Sequence, residues 1–96
     1  MNSQVADQVA KFRQRIGILI DMERFEDVVA LQERSQRLGL LADDSVRYAI
    51  AYASFRTGDF LTCQTLLKGI SDPQLFKAAT QLRSAIARCQ SDPFSC

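Results

Sequence analysis

The chain has 96 residues, 47% of them hydrophobic and 24% charged, enough for one hydrophobic core and too few for two. Twelve basic and eleven acidic side chains leave a net charge of +1, which argues against the broad positive field of a nucleic-acid or anionic-membrane binder. No apolar run approaches the roughly 18–20 residues that span a bilayer.

The opening stretch, MNSQVADQVAKFRQR, is polar and lacks the basic-then-apolar layout of a secretory signal, so a cytoplasmic location is expected. Ser3 is placed to cap a first helix. Its apolar stripe is Val5, Val9, Phe12, Ile16 and Leu19, spaced at threes and fours. Phe25, Val28, Leu31 and Leu38 form a second stripe, with Gly39 as the natural stop. Asp43 or Asp44 caps a third helix whose core side is Val46, Ala49, Ile50 and Ala53, and Thr57-Gly58 breaks it. Asp59 caps a fourth, carrying Phe60, Cys63, Leu66, Leu67 and Ile70. A fifth starts with Asp72 at the cap and Pro73 in the first turn, where its missing N–H does no harm. Its stripe is Leu75, Ala78, Ala79, Leu82, Ile86 and Cys89. No segment alternates as a half-buried strand does. The expected fold is all-α: one domain over residues 1–90 and a short tail over 91–96 that frays, with Phe94 packing back on the last helix as the alternative.

The chain repeats itself. Superposing Phe25 on Phe60 aligns the first two helices with the next two, pairing Ile18 with Ala53, Ile20 with Phe55, Val28 with Cys63 and Leu31 with Leu66. A period of about 34 residues made of two helices resembles the tetratricopeptide repeat. The second copy is the better match: Ile50-Ala51 and Ala53 precede Gly58-Asp59-Phe60, and Cys63 takes the small-residue position of the second helix. Small residues there permit close helix crossing. The first copy is degenerate, with Glu23-Arg24 where the family has Gly-Asp, and Asp72-Pro73 arrives about two residues early by the family's pattern. The resemblance covers residues 8–73. It implies a right-handed stack of about five antiparallel helices, two degenerate repeats plus a closing helix over 74–90. The competing expectation is a plain helical bundle.

The third helix carries more apolar surface than its core stripe needs. Tyr48, Tyr52 and Phe55 recur at steps of four and three on another face. Ile20 and Gly17 hold the equivalent positions of Phe55 and Tyr52 in the first helix. In the tetratricopeptide family this face lines the concave groove, so Gly17, Ile20, Tyr48, Tyr52 and Phe55 are the candidate partner-binding residues. Gly17 leaves clearance, and the aromatics suit burial against an amphipathic helix. The alternative is that the fifth helix or the first loop covers these rings from inside. Tyr48 and Tyr52 stand where carboxylate-clamping relatives carry basic or amide side chains, with only Arg13 comparable, so a carboxylate clamp is not expected.

Catalysis is not expected. Without histidine, the acid–base options are carboxylates and cysteines. Asp43-Asp44 and Glu26-Asp27 read better as helix-start acids. No Gly-rich phosphate loop occurs. No C-x-x-C pair accompanies Cys63, Cys89 and Cys96, so neither metal nor cofactor is expected. Three cysteines cannot all pair within one chain, which suits a reducing compartment. Cys63 is expected in the core and Cys96 as a free thiol. A helix-turn-helix reader using Arg13, Arg15, Arg34 and Arg37 is disfavoured by the interleaved Glu26, Asp27 and Glu33.

Small size, two degenerate repeats and GDF followed by the Leu66-Leu67 helix, with little outside them, resemble the type III secretion needle-subunit chaperones of the YscG/EscG type. That resemblance implies a cytoplasmic, three-part complex. The repeat protein would hold the C-terminal amphipathic helix of the needle subunit, prevent its premature polymerisation, and carry a second small helical co-chaperone. Ala6, Val9 and Ala10 on the first helix are the candidate co-chaperone contact. The alternative function is a general protein–protein adapter or self-associating module.

Overall fold

The computed structural model describes residues 2–92, 94 and 96. Six α-helices run through them: α1 (Asn2–Asp21), α2 (Phe25–Val29), α3 (Gln32–Arg37), α4 (Asp44–Arg56), α5 (Phe60–Leu67) and α6 (Pro73–Ser91), with a 3-10 turn at Leu40–Ala42. None of the described residues forms a strand, and the all-α expectation holds. The Ser3 cap and the Val5 end of the first stripe lie outside the described side chains.

The expected second helix is split in two. Leu31 N–H donates to Val28 O at 3.0 Å, an i to i−3 bond, although Ala30 and Leu31 both keep right-handed helical dihedrals. The chain tightens rather than reverses. Ser35 moves fully into the core, its hydroxyl donating to Leu31 O at 2.6 Å. Leu38, expected inside, is 55% exposed, and Leu40 of the 3-10 turn is buried in its place. Gly39 between them has φ +72°, the left-handed stop its residue type favours.

Helix α4 is the hub. It packs against α1, α2, α5, α6 and the 3-10 turn. It is therefore buried round most of its circumference: Val46, Ile50, Ala51, Ala53 and Ser54 are all inaccessible. Ala51 and Ser54 were not part of the expected stripe, and Ala49 is only half-buried. A one-stripe reading cannot describe a helix packed on several sides. Ser54 tolerates burial because its hydroxyl donates to Ile50 O at 2.9 Å.

The acidic caps divide the work. Asp43 is the true cap of α4, accepting from Ser45 N–H at 2.9 Å and Val46 N–H at 3.1 Å. Asp44 reaches instead across the fold, accepting from Ser71 N–H at 3.1 Å and Asp72 N–H at 2.8 Å. It thereby ties the start of α4 to the α5–α6 connection. Asp59 caps α5 through Thr62 N–H, and Asp72 caps α6 through Gln74 N–H. At the far end of α5, two arginines add side-chain donors to carbonyls that otherwise accept only i to i+3 backbone bonds, from Gly69 N–H and Ile70 N–H at 3.2 Å. Arg47 Nη1 donates to Leu66 O and Arg83 Nη2 to Leu67 O, both at 3.1 Å. Arg47 Nε also donates to Leu41 O at 3.0 Å.

Two expectations about the tail are corrected. Cys96 is not a free thiol: it is disulfide-bonded to Cys89, with the Cα atoms 4.9 Å apart. Phe94 does not pack on α6 but is 98% exposed. Cys63 is the free cysteine, fully buried as expected.

Candidate partner-binding groove

Ile16 seats α1 against the core, with Val9, Phe12, Leu19 and Ile20 half-buried around it. On the flank of α1 that meets α4, Arg13, Gly17 and Ile20 face Ser45, Val46 and Ala49 across a cleft of about 240 Å³. Gly17 is the open point of its wall. A Cβ added there would meet nothing within 4 Å. The cleft is below the roughly 300–1,000 Å³ of small-molecule sites.

The aromatic stripe of α4 sits beside this cleft rather than in it. Tyr48, Tyr52 and Phe55 are each half-buried against the core and do not line the space bounded by Gly17 and Ile20. Tyr52 meets Phe25 of α2 edge-on, ring centroids 5.8 Å apart, and its hydroxyl accepts from Arg56 Nη1 at 3.1 Å. The Arg56 guanidinium also lies 4.6 Å from the Phe25 ring centre. Phe55 stacks on Phe60 of α5 at 5.6 Å and borders a separate cleft with Cys89 and Cys96. Tyr52 and Phe55 are thus partly covered from inside, by Phe25 of α2 and Phe60 of α5. Burial raises the Tyr48 phenol above its ordinary range, with Tyr52 adding to the shift.

Gly17 and Ile20 therefore belong to one neighbourhood, Tyr52 to a second, and Phe55 to a third, all on or beside α4. Ser45 and Ala49 complete the first, and sequence reasoning missed both as site residues. The available signal was spacing: Ser45 lies three residues before Tyr48 and seven before Tyr52, but a serine at a helix start reads as polar filler. Of the co-chaperone candidates, Ala6 and Ala10 are exposed while Val9 is half-buried against the core.

The site offers contact surface and little chemistry. The Cys63 thiol behind α4 is pushed up to about 11, first by burial and then by the nearby Asp59 charge. Among the described residues, no cluster of three His, Cys, Asp or Glu side chains could hold a metal, and no helix is long and apolar enough to cross a membrane. In comparison with known proteins, no family model, no curated protein and no solved structure matches the chain.

Proposed function

We propose that this chain is a tetratricopeptide-like chaperone that holds an amphipathic helix of a self-assembling filament subunit, as the needle-subunit chaperones of type III secretion do, together with a small helical co-chaperone. The observation that carries the reading is the α1–α4 cleft. Gly17 leaves it open, Ile20 gives it an apolar wall, and half-exposed Tyr48, Tyr52 and Phe55 extend apolar surface along α4. A filament subunit polymerises through an apolar helix, and a groove occupied by that helix blocks the polymer contact.

The packing order is compatible with a repeat stack. Helices α1, α4 and α6 are neighbours in series, α2 packs on α1, and α5 packs on α4 and α6. The turns that close the two hairpins also share one hydrogen-bond pattern at an offset of 35 residues. A second reading, a general adapter that is stable alone, is favoured by the cover that Phe25 and Phe60 give Tyr52 and Phe55.

Native mass spectrometry of the protein isolated from its own host separates the two. The chaperone reading expects one copy each of this chain, a filament subunit and a second small helical protein. A stable, unliganded monomer would overturn it in favour of the adapter.

A further inference from the structure

We infer that the opposite flank of α1 is a second docking surface, built for an acidic amphipathic helix. Two adjoining clefts share Lys11 and Arg15: one of about 300 Å³ between α1 and α3, the other of about 230 Å³ along α1. The first adds Arg34 from α3, with Phe12, Leu38 and Leu40 as its apolar walls. The second ends at Ile18. Leu38 and Ile18 are 55% and 52% exposed, so two large apolar side chains flank three cations on one surface. Neither cleft has an acidic lining residue. Asp7 and Glu33 are the nearest acids along the chain, and among the described residues neither forms an ion pair with these cations.

Lys11 and Arg15 are one turn apart on α1, but the third cation, Arg34, comes from α3, so the full patch needs both helices. Leu38, just past α3, is exposed and lines the first cleft together with Lys11, Arg15 and Arg34. From Gln8 to Ile18 the surface follows about 15 Å of helix axis, or about three turns. Carboxylates spaced one turn apart would meet Lys11, Arg15 and Arg34, while apolar residues on the neighbouring face cover Leu38 and Ile18. Exposed leucine and isoleucine beside the cations favour a protein helix over a phosphate backbone, which gains nothing from apolar walls. The surface lies away from Gly17 and the α1–α4 cleft, and the inference does not rest on the proposed function.

The test uses two synthetic helical peptides of about four turns, with identical leucine faces and either glutamate or lysine on the flanking positions. Fluorescence anisotropy should give the glutamate peptide a Kd at least about tenfold tighter. The double charge reversal Arg15→Glu with Arg34→Glu should invert that preference. Leu38→Asp should weaken the glutamate peptide at unchanged helical content. All these positions are exposed, so the fold is expected to survive. Gly17→Leu, which fills the other cleft, should leave glutamate-peptide binding intact. Equal affinity for both peptides, no inversion by the charge reversal, or loss of binding in Gly17→Leu would each overturn the inference. So would tighter binding of a single-stranded oligonucleotide or of anionic phospholipid vesicles to the same cations.

Discussion

Glu23 and Gly58 occupy the same backbone conformation 35 residues apart. Both are left-handed, at φ +56° and +89°. Glu23 N–H donates to Ile20 O at 2.9 Å and Gly58 N–H to Phe55 O at 3.1 Å. One residue later, Arg24 N–H donates to Leu19 O at 2.8 Å and Asp59 N–H to Ser54 O at 2.9 Å. The turn is one motif used twice, but only the second copy has the residue type it favours. A left-handed non-glycine residue costs about 1–2 kcal/mol, and glycine's freedom in the unfolded chain returns part of that. Glu23→Gly should stabilise the protein by about 0.5–1 kcal/mol, while Gly58→Ala should destabilise it by about 1 kcal/mol. Urea midpoints at constant slope measure both. A destabilised Glu23→Gly would mean that the glutamate side chain contributes more than the strain removes.

Arg47 and Gly69 are predicted to behave as one unit. A Cβ at Gly69 would collide with the Arg47 guanidinium, which bridges Leu41 O and Leu66 O. Arg47→Ala should cost about 1–3 kcal/mol, the range for hydrogen bonds to a charged group. Gly69→Ala should be destabilising because it displaces the arginine, despite alanine's lower unfolded-state entropy. The double variant should then cost much less than the two single costs added together. Strict additivity in denaturant titrations would show that the arginine accommodates the methyl without losing its carbonyls.

The Asp44 carboxyl is held below its ordinary value, first by the Ser71 backbone N–H and then by that of Asp72. A carboxyl lowered in the folded state contributes stability in full above about pH 4. That contribution drains as the pH falls through the lowered value. Asp44→Asn should therefore be less stable near neutrality and show a shallower loss of stability on the acid side. Thermal melts from neutral to acid pH test it. Parallel curves for the two proteins would remove Asp44 as a source of acid sensitivity.

Cys63 should resist alkylation in the native protein, since it is fully buried and its thiol is raised to about 11. Iodoacetamide at neutral pH, without reductant, is expected to modify no cysteine until denaturant is added, and then one. Mass spectrometry counts the adducts. Native labelling at the denatured rate would contradict the packing of α5 against α4, whereas native labelling of Cys96 would mean the bond to Cys89 is open in solution.

Gly17 separates stability from binding. It lies inside α1, where glycine is the weaker helix former by about 0.5–1 kcal/mol relative to alanine, and an added Cβ there meets open space. Gly17→Ala should raise the melting temperature. Gly17→Leu should be folded and at least as stable as the parent, yet fail to retain the groove's partner. A Gly17→Leu protein that still copurifies with its partner at parental stoichiometry would move the binding site elsewhere.

Local signals in the sequence accounted for the helices that start at Asp43, Asp59 and Asp72, because a short acid before an apolar stripe satisfies helix N–H groups whatever the surroundings. They also located Gly39 and Gly58, whose left-handed turns depend on residue type. The split at Ala30–Leu31 carried no such mark: no glycine or proline stands there, and the burial of Ser35 and exposure of Leu38 are visible only in the folded chain. Glu23 was legible only as the odd residue in a repeat, and its left-handed φ of +56° emerges only in the folded chain.

The candidate surfaces depended still more on tertiary structure. Helical spacing was enough to place Tyr48, Tyr52 and Phe55 on one face of α4. Which rings are covered was decided by Phe25 and Phe60, on helices that periodicity cannot orient relative to α4. Of the two basic clefts, the one that adds Arg34 to Lys11 and Arg15 is lined from both α1 and α3. Periodicity reports which residues share a face of one helix. Surfaces assembled from two helices, and the cross-links made by Asp44 and Arg47 over long stretches of chain, exist only once the helices have packed.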